Sequence, residues 1–225
     1  MKRLDSRDVF YFRKNYIVSM TLRKSLLLII AILLVDQISK VYIKTNFRLQ
    51  ESIEVFSWFQ ILFVENDGMA WGAKLSDLFT FMSDRTAKVI LTLFRMVAVC
   101  GIAYWLWKTL SQKATRTLIV AICLILAGAL GNIIDSVFYG MLFSDSYGQV
   151  ATFLPEGGGY DTLLHGKVVD MLHFPLWSGR FPEWFPFWGG DAFTFFQPVF
   201  NIADIAISTG VGVLLVFNRK AFPKG

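Results

Sequence analysis

Phe200-Asn201-Ile202-Ala203-Asp204-Ile205-Ala206-Ile207 sets an amide and a carboxylate into an otherwise apolar run. Asn201 and Asp204 are three positions apart, so a helix through this stretch puts them on one face, with Ile202, Ile205 and Ile207 turned mostly elsewhere. An aspartate in so apolar a segment is costly unless it is partnered or functional. The chain must therefore be searched for a second carboxylate to go with it.

Working outward, the 225 residues are 55% hydrophobic and have a mean hydropathy of +0.51. A soluble domain of this size is far less apolar, so the chain belongs in a membrane. Crossing roughly 30 Å of hydrocarbon takes about 20 apolar residues in helical form. Four segments qualify, at 22–43, 87–107, 117–138 and 198–217, the last holding the quoted stretch.

The net charge of +5 does not form a nucleic-acid-binding patch, because the basic residues sit at the membrane edges. Lys2, Arg3, Arg7, Arg13, Lys14, Arg23 and Lys24 precede the first span. Lys108, Lys113 and Arg116 fill the short link between the second and third, and Arg219, Lys220 and Lys224 follow the fourth. The excess of positive charge assigns all three regions, and both termini, to the cytoplasm, leaving connections 44–86 and 139–197 outside. The expected organisation is a polar N-terminal extension at 1–19, a single four-helix membrane domain at 20–219 and a tail at 220–225. Cys100 and Cys123 fall within spans and read as buried thiols rather than a disulfide.

Several spans carry polar residues. Asp36 and Lys40, spaced i, i+4 with the acid first, read either as an ion pair anchoring the first span or as a brace for a site. Arg95 lies well inside the second span, read either as a snorkelling arginine or, at about two helical turns from the outer end, as a functional charge that pairs with a carboxylate. Gly131-Asn132-Ile133-Ile134-Asp135 repeats the spacing of Asn201 and Asp204 near the outer end of the third. Given the topology, polar clusters from three spans reach one level just below the outer surface.

The first outer connection has strand-like runs at 52–56 and 59–64, rich in β-branched and aromatic residues. Glu65-Asn66-Asp67-Gly68-Met69-Ala70-Trp71-Gly72 follows, read either as a plain turn or as the end of a small sheet on the membrane surface that offers Asn66 to a ligand. The second outer connection holds Lys167-Val168-Val169-Asp170 and then an aromatic-rich stretch containing Trp177, Phe181, Trp184, Phe187 and Trp188, suited to lying in the membrane interface. His165 and His173 lack a ligand set around them, so no metal centre is expected.

No Gly-x-Ser-x-Gly elbow and no His-Glu-x-x-His occurs. What remains is a pair of carboxylates, Asp170 just outside the fourth span and Asp204 near its outer end. Two close carboxylates share a proton, so one can act as base and the other as acid. That pairing activates water against an amide carbonyl. A proton-coupled membrane carrier is the rival reading, since intramembrane carboxylates also relay protons, but carriers favour a midplane site and internal repeats. A non-catalytic scaffold gives no reason for the clusters to converge.

Five motifs in order carry a resemblance: Asp36-Gln37-Ile38-Ser39-Lys40; Asn66-Asp67-Gly68-Met69-Ala70-Trp71-Gly72; Gly131-Asn132-Ile133-Ile134-Asp135; Val168-Val169-Asp170; and Phe200-Asn201-Ile202-Ala203-Asp204. Together they resemble the lipoprotein signal peptidases (signal peptidase II), aspartic peptidases of bacterial inner membranes. The resemblance implies an all-α membrane protein of four transmembrane helices with a small outer-face β-sheet and a long outer interfacial insertion. It implies cleavage of diacylglyceryl-modified prolipoproteins on the N-terminal side of the lipidated cysteine, with Asp170 and Asp204 as the catalytic dyad. It implies that Asn66, Gly68, Asn132, Asp135 and Asn201 line the site and hold substrate, and that Asp36 and Lys40 brace it. Substrate and membrane lipid are the implied partners, with no cofactor, no nucleic acid and a monomeric enzyme in the inner membrane. Two features depart from the family pattern. Ser136 stands where an arginine normally follows Asp135, for which Arg95 is the expected substitute, and the 34 positions between Asp170 and Asp204 exceed the family's spacing.

Overall fold

A computed structural model describes residues 20–67, 83–195 and 197–223. The proposed extension at 1–19, Gly68 and the rest of the turn after Asp67 lie outside the described residues.

Among the described residues three helices are long and apolar enough to cross a membrane: α1 (Leu22–Asn46), α2 (Asp84–Ser111) and α3 (Arg116–Leu142). Thr21, Ser83 and Thr115 cap their N-termini, each side chain accepting from a backbone N–H three residues on. The distribution of polarity across α1 is inverted relative to a soluble helix. Ser25, Asp36, Lys40 and Lys44 lie on the buried stripe, whereas Leu26, Leu27, Ile30, Leu34 and Ile38 are exposed. Only a surrounding apolar medium makes that arrangement favourable, since water would penalise the outer face and lipid would penalise the inner one.

A fourth apolar helix, α4 (Ile202–Val216), has 15 residues, too few to cross about 30 Å at 1.5 Å per residue without help from its flanks. The span expected from 198 onward thus begins later. Val199–Phe200 is a strand, and Asn201, with φ −127° and ψ −178°, is the N-cap rather than a helical residue. A one-turn helix, α5 (Asn218–Ala221), follows.

α3 is central, packing against α1, α2 and α4. It approaches α4 most closely at Gly128, where a Cβ would stand 2.2 Å from the Ala203 carbonyl oxygen. A Cβ at Gly131 would stand 2.5 Å from an Asp36 carboxylate oxygen. Small residues at a helix crossing let backbones meet, which matters where hydrophobic burial drives little association between helices. α2 is peripheral; Cys100 on it is exposed and Cys123 on α3 is buried, so the expectation of two buried thiols holds for one. Both thiols are free.

A four-stranded antiparallel sheet caps this end of the bundle in the order β1 (Ser52–Phe56), β2 (Phe59–Asn66), β3 (Val168–His173), β6 (Val199–Phe200). Its central pair brings together segments about a hundred residues apart, Val64 facing Asp170 and Asn66 facing Val168. One face packs Phe63, Val169 and Met171 against Ile43, Phe47, Tyr139 and Phe143 from the ends of α1 and α3. The aromatic-rich stretch forms a separate hairpin, β4 (Trp177–Arg180) with β5 (Ala192–Phe195), inserted between β3 and β6. The protein therefore carries substantial β structure around its helices, more than an all-α label conveys.

Candidate active site

Asp204 is the third residue of α4 and forms a capping box with Asn201. The Asp204 backbone N–H donates to Asn201 Oδ1 at 3.0 Å, and the Asn201 backbone N–H donates to Asp204 Oδ2 at 3.2 Å. The i, i+3 spacing read as one helix face is thus a helix start. A polar residue followed three positions later by an acid, immediately before an apolar run, is the sequence signature of such a start.

Asp170 sits in the middle of β3 and is buried. Its two oxygens accept from amides on different elements: Oδ1 from Asn201 Nδ2 at 2.6 Å, Oδ2 from Asn66 Nδ2 at 3.1 Å. Asn66, the last residue of β2, stands diagonal to Asp170 across the strand pair. Burial, and then the neighbouring Asp204 charge, push the Asp170 carboxyl up to about 7, against the two amide donors, which favour its ionised form. Asn201 touches both carboxylates, one through its side chain and one through its backbone, so the two acids share a single residue.

Asn132 completes the ring. Its Nδ2 donates to Asp204 Oδ1 at 2.8 Å, and its Oδ1 accepts from Asn201 Nδ2 at 3.2 Å and from Lys40 Nζ at 2.9 Å. Lys40 is fully buried and spends its other protons on Asp36 at 2.9 Å and Asp135 at 2.7 Å, leaving none unsatisfied. Asp36 also accepts from the Ala203 backbone N–H at 2.9 Å, one of the first-turn donors of α4 that has no partner within the helix. Asp135 accepts from the Val169 backbone N–H at 3.4 Å, next to Asp170. Lys40 and its two carboxylates thus tie α1 to α3, α4 and β3 directly beneath the two acids.

The structure brings Asp170, Asp204, Asn66, Asn132 and Asn201 into one connected set, with Asp36, Lys40 and Asp135 under it. Asp135 is fully buried and bonds Lys40, Gln37 and the Val169 backbone N–H. Arg95 is half-buried on α2 and makes no ion pair within 4.0 Å among the described residues, although the charges of Asp204 and Asp170 both act on it. Ser136, at the family's arginine position, is buried and donates back to the Asn132 carbonyl at 2.9 Å.

Two residues escaped the sequence reading. Gln37 Nε2 donates to Asp135 Oδ1 at 2.9 Å, to Asp36 Oδ2 at 3.0 Å and to the Gly131 carbonyl at 3.2 Å, while its Oε1 accepts from Tyr139 Oη at 3.1 Å. An amide beside Asp36 within an apolar span was the available signal. Glu65, next to Asn66 on β2, is buried against Lys44, and nothing local announced that an acid beside a turn would point inward.

The chain matches the family model described as Signal peptidase (SPase) II over residues 28–219. It is 51% identical over 191 residues to a protein of Porphyromonas gingivalis named lipoprotein signal peptidase, covering 84% of this chain and 80% of that one. A lipoprotein signal peptidase of Amoebophilus asiaticus is 34% identical over 192 residues, covering 83% of this chain and 73% of the relative. Among solved structures, a bacterial membrane enzyme determined by the in meso method at 2.3 Å resolution aligns with a TM-score of 0.53 and 25% identity, over 90% of this chain and 93% of that one.

Proposed function

The chain belongs to the signal peptidase II family, and from that premise we propose that Asp170 and Asp204 are the catalytic dyad of an intramembrane aspartic endopeptidase. The protein is a bacterial membrane peptidase that removes signal peptides from prolipoproteins. The observation that carries the dyad is Asn201, which bonds both carboxylates and so holds them at one point at the start of α4.

In the proposed reaction Asp170, its carboxyl pushed up to about 7, holds the shared proton near neutrality. Asp204, half-buried and less enclosed, accepts a proton from the attacking water while Asp170 donates to the carbonyl oxygen of the scissile amide. Collapse of the tetrahedral intermediate returns a proton from Asp204 to the leaving nitrogen, and Asp170 recovers its own. Asn66, Asn132 and Asn201 orient the acids and line the substrate path, and Gly68 and Asp135 are assigned to the same substrate-binding set. Asp135 also bonds Lys40 and the Val169 backbone N–H next to Asp170. Arg95, on which both acids' charges act, serves in place of the arginine replaced by Ser136. No cofactor is required, and because every group comes from one chain a monomer suffices.

The membrane placement is also proposed. α4 lies along α3 with backbones in contact at Gly128, which supports it as a fourth span completed by its flanking residues. Both termini then face the cytoplasm, and the site lies near the outer face, where the diacylglyceryl group of the substrate stays in lipid while its peptide reaches the dyad. The β4–β5 hairpin, which exposes Trp184 at 79% and Phe187 at 94%, lies in that interface over the acyl chains.

The test incubates purified, reconstituted protein with a diacylglyceryl-modified prolipoprotein and follows loss of the signal peptide. Asp170→Asn and Asp204→Asn should each lower it by at least about a hundredfold, and cleavage at the wild-type rate in either variant overturns the dyad.

A further inference from the structure

Directly behind the catalytic strand, on the packed face of the sheet, lies a second buried ionic cluster that the proposed reaction does not use. Glu65 Oε1 contacts Lys44 Nζ and accepts from Ser146 Oγ at 2.8 Å, while its Oε2 accepts from Lys167 Nζ at 3.1 Å. Lys44 Nζ also donates to Ser146 Oγ at 2.9 Å and stands 4.9 to 5.8 Å from the ring centres of Tyr160, Phe143 and Phe63. The Lys44 and Glu65 side chains are 1% and 3% exposed, and Lys167, at 35%, reaches solvent. Asp145 is the other acid whose charge acts on Lys44. A buried pair of this kind contributes little net stability over well-packed apolar residues, because desolvation offsets attraction, and its best-attested use is to specify register.

Register is an open question in this strand pair. Gln60 faces His173 and Ile61 faces Leu172, but from Val64 onward the pairing is displaced by one residue, Val64 facing Asp170 and Glu65 facing Val169. β2 therefore carries a bulge between Ile61 and Val64, and the far-end register continued unbroken would set Glu65 against Val168 and Asn66 against Lys167. Each one-residue slip exchanges the two faces of a strand. In that alternative Asn66 loses its diagonal position beside Asp170, and a carboxylate turns toward the site.

We propose that the Lys44, Glu65 and Lys167 cluster is a register lock, a positioning device that holds the end of β2 one residue forward so that Asn66 meets Asp170. The lock binds at three points: Lys44 ends α1, Lys167 enters β3, and Ser146 anchors the connection after α3. Only the displaced register lets Glu65 meet all three on the packed face. Glu65 is thus a positioning residue for the dyad, acting through Asn66 and without touching substrate. The inference rests on the assignment of Asp170 as a catalytic acid.

Glu65→Gln keeps the side chain's size and removes its charge. In the full-length reconstituted enzyme the turnover rate should fall on the order of a hundredfold, as expected for displacement of a catalytic contact by about 1 Å, with KM for the lipidated substrate little changed. The alkaline limb of the rate profile should move to higher pH, because Asn66 favours ionised Asp170; Asp204, Asn201, Lys40 and Arg95, which also act on Asp170, are left in place. Asn66→Ala should move it the same way, and the double variant should be no worse than Asn66→Ala alone. Lys167→Met, at the exposed rim of the cluster, gives the same displacement to a smaller degree should Glu65→Gln not fold. An unmoved limb in the folded variant, or losses from Glu65→Gln and Asn66→Ala that multiply, overturns the lock. Asp170→Asn runs alongside: cleavage retained there overturns the dyad instead, whereas cleavage lost there with Glu65→Gln fully active overturns the lock alone.

Discussion

The start of α4 and the middle of β3 hold the same side chain by opposite means. Asp204 is fixed chiefly by its own neighbourhood, a reciprocal cap with a residue three positions away, and gains Asn132 from α3 as a supplement. Asp170 has no local support: its donors come from 31 and 104 positions away, and its place depends on the closure of a sheet between two outer connections. A locally held acid survives loosening of the bundle, while a remotely held one reports it. Their environments differ to match: β3 lies between β2 and β6 with Asp170 buried, whereas Asp204 is half-buried.

The broadest test treats the two acids as equals. Asp170→Asn and Asp204→Asn should each lower cleavage by about 10² to 10⁴-fold, the range of a lost general acid or base, measured by release of signal peptide from lipidated substrate. Wild-type activity in either variant overturns the dyad. Lys40→Met follows. It leaves Asp36 and Asp135 buried without their cation, a loss of about 3–5 kcal/mol readable as a lowered unfolding midpoint in detergent. Because Asp36 bonds the start of α4 and Asp135 bonds β3, this variant should disturb both acids together.

Asn201→Ala removes the residue they share. The cap itself is worth about 1 kcal/mol, so thermal stability should drop modestly while cleavage falls far more. Arg95→Ala should likewise cripple cleavage with membrane insertion intact, and full activity would remove Arg95 from the site.

The smallest effects are in pH. Because Asp170 is pushed up to about 7, cleavage should decline as pH rises through about 7 and the dyad loses its proton. Its stability contribution has the matching sign. The ordinary aspartate value is about 3.9, so between roughly pH 4 and 7 the folded chain keeps a proton that the unfolded chain releases. Stability contributed by this group falls as pH rises across that window and levels off above it. Melting temperatures at either end, compared with Asp170→Asn, measure the slope, which the substitution should abolish.

Much of this was legible from local pattern. The three long helices follow from apolar runs, and the strands expected at 52–56 and 59–64 follow from β-branched and aromatic residues ahead of a polar turn, the second running on to Asn66. What sequence spacing could not distinguish was a helix face from a helix start at Asn201 and Asp204, because both use an i, i+3 interval; the strand pairing of Val199 and Phe200 with β3 decided it. Nor did spacing reveal β3, whose Val-Val-Asp-Met-Leu-His run is too short to separate strand from helix by period. Spacing also gave no sign that Asp135 and Glu65 bond cations on α1, Lys40 and Lys44, one helical turn apart on its buried stripe.

The sequence by itself determined the membrane environment, the long helices and the family to which the chain belongs. Each is encoded within a short stretch, by hydropathy or by a short motif. The tertiary structure alone decided that Asp170 lies on a strand, that Asn201 joins it to Asp204, and that β2 is displaced by one residue so that Asn66 reaches it. Those contacts join segments tens to a hundred positions apart, and no local preference can specify them: they exist only once the ends of α1 and α3 give the sheet a surface on which to close.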